Sequence, residues 1–409
     1  MEQMQAGRVF DGVRIVELAQ YVFVPGAGAL FANHGAEVIK VEATGSGDPY
    51  RSLVVSDGRE SATANFAMEL NNNSKSSISI DLKDPEGREI LLKLIETADV
   101  FLTSLRPRAL KSLGLDVEDL RKRNPKIIYA RGNGVGFEGP ESEKAGYDAS
   151  AFWARGGFAH ALSRPDGSPP VRSRPALGDH ASSVGLALGI AAALFKRERT
   201  GEPSLVETSL LANALWLLSA DVTYSQVETY RDQSPLDDTR FPLMSSYQTK
   251  DGRWIQLMLL APDRYWPEIC AMLDLHNLVD DPRFANSAVR IENGLELTNR
   301  FREVIGARNW EGDLKLLFER WNAPWELINT IREVTRDPQV LANDMLYDLK
   351  MTEDVSIKLV SGPVRLDGRA SPDAPRPAPS LGEHTDFWLE QIGHTQEEIA
   401  HLRASGVVQ

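Results

Sequence analysis

The first 130 residues alternate between two kinds of segment, and this alternation limits the fold more than any other feature of the chain. Val13-Arg-Ile-Val-Glu-Leu18 has the β-branched character of a strand. The glycine-containing apolar stretch Gly26–Asn33 reads as a helix, and Ala36-Glu-Val-Ile-Lys-Val41 as a second strand. Strand, crossover helix and strand make a βαβ unit, and such units build parallel sheets. The pattern then repeats. Ser77-Ile-Ser-Ile-Asp81 alternates like a strand, Pro85–Thr97 has helical spacing with Ile90, Leu91, Leu92, Leu94 and Ile95 as its apolar face, and Val100–Thr103 and Lys126–Ala130 are further strands. Residues 1–135 thus predict a doubly wound α/β layer.

The stretch 184–220 reads as two buried helices around the charged turn Lys196-Arg-Glu-Arg-Thr-Gly201. Beyond it the texture changes. Thr223–Arg240 is polar and charged, like a linker, and Arg253–Leu260 is a strand after a turn at Asp251-Gly252. Helical patterns follow at 263–274, 289–306 and 310–322. The large α/β domain is therefore placed at 1–222 and a smaller α+β domain at 223–332. Ser371–Pro379 is proline-rich and extended, and Glu383–Leu402 has helical spacing.

With 409 residues the chain is long enough for two or three domains. A net charge of −13 argues against general binding to nucleic acid or anionic membranes. The longest apolar runs, about a dozen residues, are short for a bilayer. The N-terminus shows no basic region followed by an apolar core. One cysteine, Cys270, precludes an intrachain disulfide framework and fits a reducing cytoplasm. An anionic ligand would need a locally basic site such as 100–131, where Arg106, Arg108, Lys111 and Arg131 contribute. The run at 121–123 reads as a solvated helix face.

Several chemistries lack their motifs. Gly134, Gly136 and Gly139 form a literal GxGxxG after a strand, but Pro140 and Glu-Ser-Glu-Lys block the helix that would hold a pyrophosphate. No nicotinamide or flavin cofactor is expected. Walker A and GxSxG patterns are absent. The seven histidines and Cys270 are scattered, so no metal is expected. One carboxylate remains open to two readings. Asp179 sits between Gly178 and a polar run, where a helix is predicted to begin near 179–182. It could cap that helix, or it could be a nucleophile at the mouth of a site.

Seven motifs, in order along the chain, resemble the family III CoA-transferases, also called the CaiB–BaiF family. They are GVRIVEL…VPGAGALFANHGAEVIKVEATGSGDPYR near the start, Asn72–Lys83 (NNSKSSISIDLK), Ser104–Gly114 (SLRPRALKSLG), Leu177-Gly178-Asp179, Ala192–Gly201 (AALFKRERTG), Thr249–Trp254, and Leu381–Asp386 (LGEHTD) with the Gly406-Val-Val ending. The resemblance implies a large domain with a parallel, Rossmann-like sheet, completed by residues 333–409, plus the smaller α+β domain. It also implies an interlocked homodimer. By resemblance Asp179 is the nucleophile. It would form a mixed anhydride with an acyl-CoA and then an aspartyl–CoA thioester, from which a carboxylic acid takes the CoA.

The family also suggests that Tyr147 and Asp148 position the acyl or carboxylate group. Ile80, Asp81, Leu82 and Lys83 match its nucleotide-contacting segment, and Ser104 and Arg106 lie in another matched segment. Coenzyme A would be a substrate, without metal. Racemases of this fold carry histidine where Tyr147 stands, and tyrosine is a poor base near neutral pH. Racemisation and a degraded CoA-binding homologue are the alternatives. Formyl-CoA transferases differ at Val22 and Ala43, and Arg240–Tyr247 (RFPLMSSY) lacks their glycine loop. Phe152 and Trp153 look closer to the carnitine and bile-acid branches, where they would suit a larger apolar acyl group, or they pack in the core. His180, diverging from Asp179, is expected to be structural.

Overall fold

The computed structural model describes residues 8–53, 65–164, 166–230, 239–351, 356–371 and 373–409. The expected linker falls partly outside them, at 231–238, as does most of the N-terminal stretch read for a leader, at 1–7. The chain divides into two compact units, Met1–Gln233 with Gln339–Gln409, and Ser234–Pro338.

The first unit is built on a sheet of six parallel strands in the order β3-β2-β1-β4-β5-β6. In chain order its elements begin β1 (Arg14–Leu18), α1 (Phe23–Ala32), β2 (Glu37–Glu42), α2 (Phe66–Asn72), β3 (Ser76–Ser79) and α3 (Pro85–Glu96). They continue β4 (Val100–Thr103), α4 (Pro107–Leu113), α5 (Val117–Arg123), β5 (Ile128–Asn133), a wide π-helical segment at Asp148–Ala154, α6 (Phe158–Ala161), α7 (Leu177–Thr200), β6 (Leu205–Ser209), α8 (Leu210–Leu217) and α9 (Ser219–Tyr224). Neighbouring residues on one strand serve opposite faces, as the period of two requires. Val16, Ile39, Phe101 and Tyr129 pack with α3 and α5. Ile15, Val38, Val100 and Ile128 pack with α1 and α7. Strand order reverses between β1 and β4, and an open parallel sheet leaves a crevice beyond its strand ends at such a point.

The stretch expected as two buried helices holds α7, the strand β6 and α8. Leu205–Ser209 is only five residues long, and its pairing with Tyr129–Asn133 at the sheet edge made it a strand. Nor is α7 buried all round. Leu186, Ile190 and Ala193 face the core, while Leu188 is 72% and Phe195 63% exposed. At 24 residues α7 is long and apolar enough to cross a membrane, but it packs one face on α1 and anchors Arg197 to Asp99 at 2.6 Å. After β5 comes a loop, closed by Asn133 accepting from Gly136 N–H at 2.7 Å, and no nucleotide-binding helix.

The second unit has a three-stranded antiparallel sheet of β7 (Ser246–Gln248), β8 (Trp254–Leu257) and β9 (Trp325–Leu327). Helices α10 (Pro262–Met272), α11 (Ser287–Glu292), α12 (Gly294–Gly306) and α13 (Lys315–Arg320) surround a core of Trp266, Ile269, Phe284, Phe301 and Phe318. The single helix expected at 289–306 breaks at Asn293, whose side chain bonds Val289 O and Arg283 O. A short α14 (Ile331–Val334) precedes the unit's end.

The chain then returns to the first unit through α15 (Pro338–Ala342) and the hairpin β10–β11 (Leu346–Lys350, Ser356–Val360). The proline-rich stretch is extended. Ala378 N–H donates to Glu69 at 2.7 Å, and Arg51 donates to Pro379 O at 3.0 Å. α16 (Thr385–Gln391) and α17 (Gln396–Ala404) add Trp388, Leu389, Ile399 and Leu402 to the core beside α3.

Candidate active site

The crevice at the strand ends holds a half-open cavity of about 220 Å³. Leu18, Ala19 and Gln20 line it from the end of β1, Val41–Ala43 from the end of β2, and Ile80–Lys83 from the end of β3. Gly47 and Asp48 beyond β2, and Leu105 and Leu113 around α4, complete it. All four residues expected from the 80–83 motif are therefore at the cavity. Ile80, however, is wholly buried in the core, with its N–H donating to Glu42 O at 2.8 Å, so Asp81–Lys83 are the part of the motif presented to a ligand. Ser104 and Arg106 flank the lining residue Leu105 without lining the cavity themselves. The Ser104 hydroxyl accepts from Gln20 N–H at 3.0 Å, and Arg106 is exposed at the start of α4.

Asp179 lies in the first turn of α7, two residues inside its start. The helix begins at Leu177, earlier than expected, because Ala176 turns the chain at φ +60° and its carbonyl accepts from His180 N–H at 3.0 Å. The helix has no side-chain cap of its own. Asp148 takes that place from 30 residues away, its Oδ2 accepting from Gly178 N–H at 3.1 Å. The close approach requires Gly178: a Cβ there would lie 2.3 Å from the Phe152 ring and 2.6 Å from Asp148 Oδ1. The cap reading of Asp179 is thus replaced, and its carboxylate takes no hydrogen bond among the described residues. Burial pushes the Asp179 carboxyl up to about 7, and the neighbouring Asp148 charge adds to the rise. Burial also raises Asp148, against the pull of backbone N–H groups of residues 177–179.

Tyr147 is 58% exposed, and its hydroxyl lies 3.4 Å from that of Tyr21, with the rings edge to face at 5.3 Å. Tyr21 follows the lining residue Gln20 and packs in a small cluster with Val22, Tyr50, Met68 and Ala176. A single turn therefore reaches both the cavity and the start of α7. His180 bonds Asn71 Oδ1 through Nε2 at 3.1 Å, and burial lowers its pKa, so it is a neutral donor fixing α7 to α2. Phe152 and Trp153 are buried and stack on Phe158, with Trp153 Nε1 donating to Val171 O at 3.0 Å. Phe152 lies beneath Gly178, and both rings are packed into the protein interior.

A buried ionic frame stands behind the turn. Lys75 Nζ donates to Glu17 at 2.7 and 2.9 Å, to Asn72 Oδ1 at 3.1 Å and to Pro25 O at 2.8 Å. Lys40 Nζ reaches Asp48 at 2.9 Å and Ala19 O at 2.9 Å. The side chains of Glu17, Lys40, Asp48 and Lys75 are wholly buried. Gly28 must lack a side chain for this frame to close, since a Cβ would meet Glu17 Oε2 at 2.0 Å. Sequence reasoning missed Tyr21 and the frame. The available signal was charge inside apolar strands, Glu17 in RIVEL and Lys40 in EVIKVE. Among the described residues no group of three or more His, Cys, Asp or Glu could hold a metal ion.

The comparisons with known proteins agree with one another. A family model described as CoA-transferase family III matches residues 10–385. The chain is 32% identical to cinnamoyl-CoA:phenyllactate CoA-transferase of Clostridium sporogenes, covering 96% of each chain. It is 31% identical to (R)-2-hydroxy-4-methylpentanoate CoA-transferase of Clostridioides difficile over 98% of this chain and 99% of that one. It is 32% identical to succinyl-CoA:glutarate CoA-transferase of Mus musculus over 98% and 90%. A crystal structure of a CAIB/BAIF family protein from Brucella suis superposes with a TM-score of 0.80 at 26% identity, covering 94% of this chain and 99% of that one. The six-stranded parallel sheet, the cavity at its strand ends and these full-length matches place the chain in CoA-transferase family III.

Proposed function

We propose that this CoA-transferase moves CoA from an acyl-CoA to a free carboxylic acid with Asp179 as nucleophile. The observation that carries the reading is the Asp179 carboxylate itself, partly buried in the first turn of α7 and relieved of capping by Asp148. An Asp179 oxygen attacks the thioester carbonyl, the C–S bond breaks, and CoA leaves as thiolate. The thiolate then attacks the aspartyl carbonyl of the mixed anhydride and displaces the first acid. The incoming carboxylate attacks the aspartyl thioester and again frees the thiolate. Finally the thiolate attacks the new acyl carbon, which yields the new acyl-CoA and restores the Asp179 carboxylate. No net proton is consumed. Splitting the exchange this way replaces one difficult displacement with easier ones, and the positive end of the α7 dipole favours each developing negative charge.

The cavity would receive the nucleotide end of CoA against the backbone of residues 81–83, with Lys83 toward phosphate. Ser104 holds the Gln20 turn, and Arg106 offers an exposed charge beside it. Tyr147 and Asp148 would orient the acyl group. A second copy of the chain, in the interlocked homodimer of the family, would cover Leu188 and Phe195 on α7 and Trp216 on α8, all exposed here. The buried free thiol of Cys270 suits a cytoplasmic setting. Racemisation gains no support, because His180 is committed to Asn71 and tyrosine stands at 147.

The test is covalent capture. The protein is incubated with a panel of acyl-CoAs and quenched with hydroxylamine or borohydride, and the modified residue is located by mass spectrometry. Modification at Asp179 is expected, with none in Asp179→Ala, which should still bind CoA. Modification elsewhere would overturn the mechanism. CoA binding without any adduct would point to a degraded homologue, and loss of α-deuterium without CoA exchange to a racemase.

A further inference from the structure

Tyr21 holds a backbone conformation that a side chain resists. Its φ of +66° lies in the left-handed region, which costs a residue with a Cβ about 1–2 kcal/mol relative to glycine. The conformation is imposed from behind. Tyr21 N–H donates to Asp48 Oδ1 at 3.1 Å, and Asp48 is locked to Lys40 within the buried frame. The outcome is a ring held between Tyr50, at 6.3 Å, and Tyr147, at 5.3 Å, and packed with Ala176, three residues ahead of Asp179.

The chemistry of two adjacent phenols is specific. The bond to Tyr147 and burial push the Tyr21 phenol up to about 12, so it keeps its proton at any working pH. When one phenol donates to the other, the acceptor's own O–H remains to donate outward, and the donor's oxygen retains lone pairs. The pair therefore offers one donor and one acceptor side by side, which complements a hydroxyl group. A second carboxylate only accepts, and would find Asp148 and Asp179 close by. The cations of the frame cannot serve it, since Lys40 and Lys75 are engaged by Asp48 and Glu17.

We infer that Tyr21, with Tyr147, reads a hydroxyl on carbon 2 of the acid, and that the site selects 2-hydroxy monocarboxylic acids over dicarboxylates. Carbon 2 is one bond from the carboxyl carbon that is joined through oxygen to Asp179 in the second mixed anhydride, so its reader must stand beside that side chain. The inference rests on the Asp179-centred transfer proposed above. Tyr21 acts by orienting substrate and takes part in no covalent step.

The experiment compares three five-carbon acceptors, 2-hydroxypentanoate, pentanoate and glutarate, with butyryl-CoA as donor. In the unaltered protein kcat/KM for 2-hydroxypentanoate should exceed each of the others by about 10-fold, the usual effect of one well-made hydrogen bond. Tyr21→Phe, which keeps the ring, should bring the ratio between 2-hydroxypentanoate and pentanoate close to one. Tyr147→Phe should do the same, and the double variant should lose little more than either, because the two phenols work as a unit. Tyr147 is exposed enough to carry the test alone if Tyr21→Phe does not fold. An unaltered protein indifferent to the hydroxyl, or one favouring glutarate, would overturn the assignment, as would a Tyr21→Phe variant that keeps the preference. An Asp179 adduct formed from butyryl-CoA without transfer to 2-hydroxypentanoate would overturn it too, leaving the mechanism standing. Absence of both adduct and transfer would bring down the mechanism and the assignment together.

Discussion

Asp179 carries a carboxyl whose pKa is raised to about 7, first by burial and then by Asp148. A nucleophilic carboxylate must be ionised, so kcat/KM should climb between about pH 6 and 8 with its limb near 7. Asp148→Asn should move that limb to lower pH without returning it to the ordinary aspartate value, since burial is the larger cause. A pH–rate profile checks both, whatever the drop in absolute rate. The same shift has a stability consequence. From pH 4 to 7 the unfolded aspartate has lost its proton and the folded one has not, so the native state binds the extra proton and stability falls as pH rises. Above pH 7 the loss is complete. Asp179→Asn should therefore gain on the unaltered protein, by about 2 kcal/mol at pH 8 after its partial exposure is discounted, and by little at pH 4. The sequence around Asp179 favoured a cap over a nucleophile, because a carboxylate at the cap and one in the first turn look alike in a string of letters. What leaves the Asp179 side chain uncommitted is Asp148, 31 residues away, which caps the helix in its place, and only the resemblance to a family pointed to a nucleophile.

At the scale of elements, the strands and α3 were legible because their apolar periods agree with their burial. β1, β2, β4 and α3 lie within a residue or two of their expected bounds. β6 and the π-helical segment 148–154 were not, since each owes its form to a partner. β6 is a strand because β5 presents a free edge, and 148–154 takes a wide turn against α7 with Phe152 beneath Gly178. That last contact leads to a prediction. Gly178→Ala puts a methyl group within 2.3 Å of the Phe152 ring, on the buried side of both elements. Overpacking of this kind should cost about 2 kcal/mol, and the easiest relief is to part the segment from α7. Melting temperature should fall, and kcat should fall by more than about 10-fold, because Tyr147 and Asp148 move with that segment. A variant that melts lower yet keeps full kcat would show that the contact serves stability alone.

For the whole molecule, the decisive contacts join residues that are far apart in sequence, and no local pattern announces them. The wall of the cavity at Ile80–Lys83 is held by residues 407–409: Asp81 N–H donates to Val407 O at 2.8 Å, Gln409 N–H to Ser79 O at 3.2 Å, and Val408 bridges Ile80. Gln409 also accepts at its side chain from Gly45 N–H at 2.7 Å, next to the lining residue Ala43 and Gly47. The Gly406-Val-Val ending carries no local signal of its own, and its contacts tie it to a cavity wall over 300 residues upstream. Val408 is buried among α17 and β3 core residues. Val408→Ala should leave a small void and cost about 2 kcal/mol, seen as a lower melting temperature. Because the wall it supports lies at the cavity and not at Asp179, KM for acyl-CoA should rise several-fold while the acidic limb near pH 7 stays in place. If KM is unchanged and the limb moves, the cavity at the strand ends is not where CoA binds, and the division of labour between the sheet crevice and the start of α7 would have to be redrawn.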